Sequence, residues 1–185
     1  MVAPDLPGHG ETCFPSGGSV ASMGDCSLGL AGLAEEYFSR SPVVIGYSMG
    51  ARVALQYALH PCSGISGLVL IGGTAGISDD TQRQNRMEAD EELAAWIAEH
   101  GIAAFCRRWM DLPIIASQSS IISPYRELLT QRKMTNSAKG LQDSLLGMGA
   151  GVMEPLWKRL PEIRVPTLVV VGENDMKYRS LGKQL

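Results

Sequence analysis

The sequence predicts an α/β fold in which a mostly parallel sheet is interrupted by a long helical insertion. Three observations predict it. Pro42-Val43-Val44-Ile45-Gly46, Gly67-Leu68-Val69-Leu70-Ile71-Gly72 and Thr167-Leu168-Val169-Val170-Val171-Gly172 are short apolar, β-branched runs. Such runs suit strands buried on both faces of a parallel sheet. Stretches of helical spacing alternate with them, the pattern of βαβ units. About ninety residues without a strand signal separate the second run from the third. The chain has 185 residues, 45% apolar and 19% charged, enough for one domain with a core and too apolar for disorder.

Taken in order, Met1–Ala3 reads as the end of a strand, followed by the loop Pro4-Asp5-Leu6-Pro7-Gly8-His9-Gly10. Ser27–Phe38 reads as a helix, because Leu30, Leu33, Ala34, Tyr37 and Phe38 share one face; Ser27 or Asp25 is its cap. The strand at Val43–Ile45 leads into a helix, Met49–Leu59, that stops before His60-Pro61. Asp79–His100 reads as one helix, capped by Asp79 or Asp80 and ended by Gly101. Shorter helices are expected at Ile102–Met110, Pro124–Lys133, Ala138–Met148 and Pro155–Leu160. These boundaries divide the chain into a core at 1–73, a helical lid at 74–160 and a core continuation at 161–185. An insertion placed there covers the strand C-termini, where open α/β sheets bind ligands.

Composition excludes several functions. Sixteen Lys and Arg against 19 Asp and Glu leave a net charge of −3, which gives no basic surface for nucleic acid. No apolar run is long enough to span a bilayer, and the N-terminus has no signal-like core. Cys13, Cys26, Cys62 and Cys106 lack zinc or disulfide spacing and point to a reducing compartment. Neither a phosphate-binding nor a dinucleotide motif occurs, so no metal and no cofactor is expected.

The chemistry concentrates at Gly46-Tyr47-Ser48-Met49-Gly50, where a strand meets a helix. This is the context a nucleophile elbow requires: the glycines allow the turn, and the turn pushes the Ser48 hydroxyl out above the sheet. The Met49 N–H, at the helix start, becomes an oxyanion donor. Downstream, Gly172-Glu173-Asn174-Asp175 succeeds a strand. Asp175 is the candidate acid for orienting a histidine, the alternative being an ordinary aspartate of a polar turn. His9 belongs to a turn, while His60 and His100 end helices, where the dipole favours a partial positive charge. None of the three is a good general base.

These segments together resemble an α/β-hydrolase-fold protein. Arg52 four residues past Ser48 points to one branch, together with Arg83-Gln84-Asn85-Arg86…Asp90, Phe105…Trp109…Leu112-Pro113…Ala116-Ser117, Arg132, Leu156-Trp157 and Asp175-Met176-Lys177-Tyr178. The set is similar to the 2-succinyl-6-hydroxy-2,4-cyclohexadiene-1-carboxylate synthase family of menaquinone and phylloquinone biosynthesis. The resemblance implies a small polycarboxylate substrate and a carbon–oxygen lyase that eliminates pyruvate, beginning with proton abstraction beside a conjugated system. It implies Arg52, Arg86 and Arg132 as carboxylate ligands, with Tyr47 and Trp109 lining the pocket. Arginine suits bidentate carboxylate recognition. Charge pattern alone allows a plainer account. The insertion carries ten basic and eleven acidic residues, and Arg86 can pair with Asp90 on a solvated helix.

The resemblance also implies parts these residues do not contain: strands and a second oxyanion donor ahead of Met1, and a strand, the catalytic histidine and a helix beyond Leu185. The expectation is a fragment, or one module of a larger multidomain protein, inactive by itself. Losing a triad histidine alone costs on the order of 10⁶ in kcat. It is expected in the cytoplasm, or in a plastid if the source is a plant or alga, with neither membrane nor nucleic acid as partner. A serine ester or C–C bond hydrolase and a non-catalytic fragment are the competing readings.

Overall fold

A computed structural model describes residues 1–13, 20–112 and 121–185. The Pro113, Ala116 and Ser117 positions of the resemblance lie outside the described residues. The elements run α1 (Met23–Tyr37), β1 (Val43–Tyr47), α2 (Met49–Ala58), β2 (Gly67–Ile71), α3 (Asp80–Met110), α4 (Tyr125–Met134), α5 (Ala138–Met148), a 3-10 helix (Trp157–Glu162), β3 (Thr167–Val170) and α6 (Met176–Gly182). The three strands form one parallel sheet in the order β1-β2-β3. Val43 pairs with Gly67, and Leu68 with Thr167. The predicted strands and the α/β class are present.

The core lies on one face of this sheet. Ala51, Ala54, Leu55 and Tyr57 of α2 bury against Leu68 and Leu70 of β2, with Leu30, Ala31 and Ala34 of α1 outside them. The α3–α5 helices form the segment between β2 and β3, and α5 packs on α3. Arg52 of α2 reaches the end of α5 through a hydrogen bond, so this helical layer sits against the α2 N-terminus.

Several local expectations change. The strands are not buried on both faces. Val43, Ile45 and Tyr47 of β1 and Leu168 and Val170 of β3 are exposed, Ile45 at 65% and Leu168 at 58%. Register explains it: Ile45, Val69 and Leu168 fall on one face, opposite the face that α1 and α2 cover, and no described element packs there. Met1–Ala3 forms no strand and pairs with none of the three. α1 begins four residues earlier than predicted. Ser22, not Ser27 or Asp25, is the cap, in a reciprocal box with Asp25: the Asp25 N–H donates to Ser22 Oγ, and the Ser22 N–H donates to the Asp25 carboxylate. These bonds hold the Asp25 carboxyl below its usual range. Gly101 interrupts α3 as expected: at φ 74° and ψ 176° it is not helical, and the element is two helices joined across a kink, the second running to Met110. The helix expected at Pro155–Leu160 is a 3-10 helix shifted toward the C-terminus. α6 has no counterpart among the predicted helices; its seven residues carry too little periodicity to announce themselves.

All four cysteines are free thiols. No described helix is long and apolar enough to cross a membrane.

Candidate active site

β1 delivers the chain to Ser48, which adopts φ 52° and ψ −111°, the one non-glycine residue with positive φ among those described. Its N–H donates to the Ile71 carbonyl at 2.8 Å, tying the turn to β2, and its carbonyl accepts from Ala51 and Arg52 at the start of α2. Ser48 is exposed, as an elbow nucleophile requires. The two glycines are not equivalent. A Cβ on Gly46 would lie 2.3 Å from the Gly50 carbonyl oxygen and 2.6 Å from Ala51 Cα, so strand and helix can meet this closely only over a bare backbone. A Cβ on Gly50 would touch nothing within 4 Å, so the turn does not need that glycine for space. Met49 opens α2, and its N–H has no acceptor within the helix. Its side chain packs under α5, where Ser144 Oγ approaches the Met49 sulfur at 3.7 Å.

Four residues on, Arg52 is 9% exposed. Its Nη1 donates to the Met148 carbonyl at the end of α5, 2.8 Å away. Burial pulls its pKa down to about 10, and the neighbouring Arg86 charge adds to the shift; Tyr178 and Asp90 act in the opposite sense. Three elements therefore place polar groups around one spot: α2 with Arg52, α3 with Arg86 and Asp90, and α5 with the Met148 carbonyl and with Gly149 against Asp90. Among the described residues only Arg86 bonds to the Asp90 carboxylate. Arg86 Nε donates to both Asp90 oxygens, at 2.9 and 3.0 Å. The i, i+4 pairing matches the charge pattern, but it is not a solvated pair, because Asp90 is 6% exposed. A surplus of buried positive charge is costly unless an anion joins it.

Asp175 is the N-cap of α6, and its Oδ1 accepts from the Tyr178 N–H at 3.0 Å. Tyr47 is exposed on the open sheet face, beside Gly72. Trp109 is half-buried in the last turn of α3 and tilts against Phe105, 5.4 Å between ring centroids. Arg132 sits exposed in the last turn of α4, a helix with no buried residue, and no hydrogen bond or ion pair joins its side chain to the elbow or to Arg52. Trp157 packs against the core and donates from Nε1 to the Gly76 carbonyl at 2.9 Å. The structure thus brings Arg52 and Arg86 together behind Ser48 and leaves Arg132 apart.

No histidine bonds to Ser48 or Asp175. His9 Nδ1 lies 3.3 Å from the Pro7 carbonyl, His60 Nδ1 accepts from the Cys62 N–H, and His100 stacks on Trp96. His60 is at the far end of α2 from the elbow, roughly 15 Å along the axis at about 1.5 Å per residue. Among the described residues no group of three or more His, Cys, Asp or Glu can hold a metal ion. Asp90 and Tyr178 are quoted in the resemblance without a role at the site. Asp90 has a signal in its spacing from Arg86, but nothing marks it as buried. Tyr178 arrives on α6, the helix absent from the predicted set.

A parallel sheet with a strained serine between β1 and α2 defines a class, and the chain belongs to it: it is a member of the alpha/beta hydrolase family, whose profile matches residues 1–185. Within that class it belongs with the 2-succinyl-6-hydroxy-2,4-cyclohexadiene-1-carboxylate synthases. It is 33% identical to a Bacillus subtilis (strain 168) protein provisionally named as that synthase, over 100% of this chain and 68% of that protein. The synthase of Serratia proteamaculans (strain 568) is 28% identical over 98% of this chain and 69% of the relative. A solved structure of MenH from S. aureus superposes with a TM-score of 0.91 at 33% identity, covering 97% of this chain and 67% of that one. The chain spans about two thirds of the length of these relatives.

Proposed function

We propose that this site is that of a carbon–oxygen lyase that eliminates pyruvate from a cyclohexene polycarboxylate, the reaction class of the synthases it resembles. The observation that carries the reading is the buried Arg52 guanidinium, one turn behind the elbow serine, with Arg86 as a second cation beside it. An ester hydrolase has no need of a buried guanidinium with a second guanidinium beside it. A substrate with several carboxylates supplies the missing negative charge and makes charge-assisted hydrogen bonds to them.

In this reading Ser48 stands at the base position, and a proton leaves the ring carbon next to the conjugated system. The electron pair shifts through the ring, the carbon–oxygen bond breaks, and the departing enol of pyruvate takes up a proton as it becomes the ketone. Negative charge develops on a conjugated carbonyl oxygen, and the Met49 N–H faces that charge. No acyl-enzyme forms. Asp175 has the chain position of the acid that orients a histidine. α3–α5 act as the lid; of the further residues that the resemblance implies, Trp109 lies in the last turn of α3, whereas Tyr47 on the open sheet face and Arg132 on exposed α4 stand apart from the Arg52–Arg86 pair. Ser48 needs a proton acceptor, and none of His9, His60 and His100 contacts it. In this reading the described residues supply the substrate-binding part of the site, with no histidine placed on Ser48 as its base.

Pyruvate release, monitored by lactate dehydrogenase coupling, tests this on the purified chain. The expected rate is about 10⁶-fold below that of a synthase with a complete triad. A rate comparable to such an enzyme overturns the base-less site. Turnover of simple esters, with fluorophosphonate trapping at Ser48 and no effect of Arg86→Ala, favours a serine hydrolase instead.

A further inference from the structure

We propose that Asp90 is a positioning residue for carboxylate recognition: it grips the Arg86 guanidinium along its Nε edge and leaves the two Nη groups for a ligand carboxylate. The proposal rests on reading the site as a polycarboxylate pocket, and it explains an asymmetry that an ordinary ion pair lacks. A solvated i, i+4 pair has both ends in water and is held loosely. Here the Arg86 side chain is 45% exposed and the Asp90 side chain only 8%. The anchor is buried and the cation faces outward. Both Asp90 oxygens engage the same Nε. Among the described residues Arg86 has no other hydrogen-bond partner, so its Nη atoms keep their donors for a ligand.

The surroundings are built for this grip. Gly149, the C-cap of α5, comes so close to Asp90 that a Cβ there would lie 2.6 Å from Oδ2. Arg52 bonds to the carbonyl of Met148, the adjacent residue. The last turn of α5 is thus a common strut, braced by Arg52 on one residue and by Asp90 on the next. It sets the spacing of two guanidiniums that would otherwise repel. A ligand with two carboxylates at a fixed separation gains from that spacing, because little ordering of long side chains remains to be done on binding.

Calorimetric titration with 2-succinylbenzoate, an aromatic dicarboxylate with a succinyl arm, tests the idea on the full chain. Asp90→Asn removes a negative charge beside an anion site, so charge alone predicts tighter binding. Positioning predicts the opposite: Kd rises roughly tenfold, and Arg86→Lys, which keeps the charge but loses the Nε edge, weakens binding by a similar factor. The double variant is then no weaker than either single one, the mark of coupled residues. Unchanged or tighter binding by Asp90→Asn, while Arg86→Ala weakens binding, overturns the positioning role alone. Arg86→Ala without effect overturns the polycarboxylate reading as well. A lower Tm with an unchanged Kd marks a merely structural carboxylate and also overturns the proposal. Should Asp90→Asn fail to fold, Arg86→Lys decides, since it leaves Asp90 in place.

Discussion

Ser48 holds a backbone conformation that an L-residue rarely adopts, and it does so because β1, β2 and α2 all fix its neighbours. Such strain costs of order 1–3 kcal/mol and concentrates at functional sites. Ser48→Gly relieves it, so the variant is expected to be about 1 kcal/mol more stable in denaturant titration, whatever it does to activity. Cys26 makes a second prediction at this scale. The thiol is buried against the Met148 sulfur, and burial, helped by Asp25, pushes its pKa up to about 11. A folded pKa above the ordinary thiol value means the folded state keeps its proton longer than the unfolded one. The stability this gives is therefore fully present below about pH 9 and is lost as pH rises toward about 11. Comparing wild type with Cys26→Ala in denaturant at about pH 8 and about pH 10.5 measures it, and the gap is expected to narrow at the higher pH. At the lower pH a thiol reagent should label the exposed Cys13 and Cys62 ahead of the buried Cys26 and Cys106.

Between elements, the strand–helix junction separates two glycines that look alike in the motif. Gly46→Ala drives a methyl into the Gly50 carbonyl and the α2 backbone. It is expected to destabilise the fold by about 3 kcal/mol, the upper end of overpacking costs. Gly50→Ala meets open space inside a helix and is expected to stabilise by about 1 kcal/mol. Thermal unfolding of the pair checks both signs, and equal effects would refute the contrast. The elbow is legible in the sequence because its spacing encodes its own geometry. The strands are legible from their β-branched runs, and α5 from its end points. The α1 cap is hidden because the apolar face starts late, well after Ser22 and its partner Asp25 three residues on. The Gly101 break is legible too, since a glycine after a periodic run marks the end of a helix, and its backbone is not helical. Beyond it, the helix expected at Ile102–Met110 is present and packs inward at Cys106. The Arg86–Asp90 pairing is legible from its spacing, but the burial of Asp90 depends on Gly149 of a helix distant in sequence, which no local pattern announces.

Across the whole molecule, the sheet is covered on one face only among the described residues. Ile45, Tyr47, Leu168 and Val170 form a contiguous apolar surface on the other. Surfaces of this kind bind hydrophobic dyes and promote association. The purified chain is expected to enhance ANS fluorescence, and a double replacement Ile45→Thr and Leu168→Thr to reduce it. Alternation alone could not reveal this, because a continuous apolar run is compatible with one covered face or two, and only register decides which side chains meet α2. The claim that unites fold and site is that the α2 N-terminus presents a polycarboxylate pocket organised on Arg52. Its most direct test is calorimetric titration of 2-succinylbenzoate into the wild-type chain and into Arg52→Met, which keeps the side-chain bulk without the charge. Saturable binding to wild type that weakens by about 10- to 100-fold in the variant, the worth of a charged hydrogen bond, is the predicted result. Equal affinity of the two proteins, or no binding to either, would contradict it.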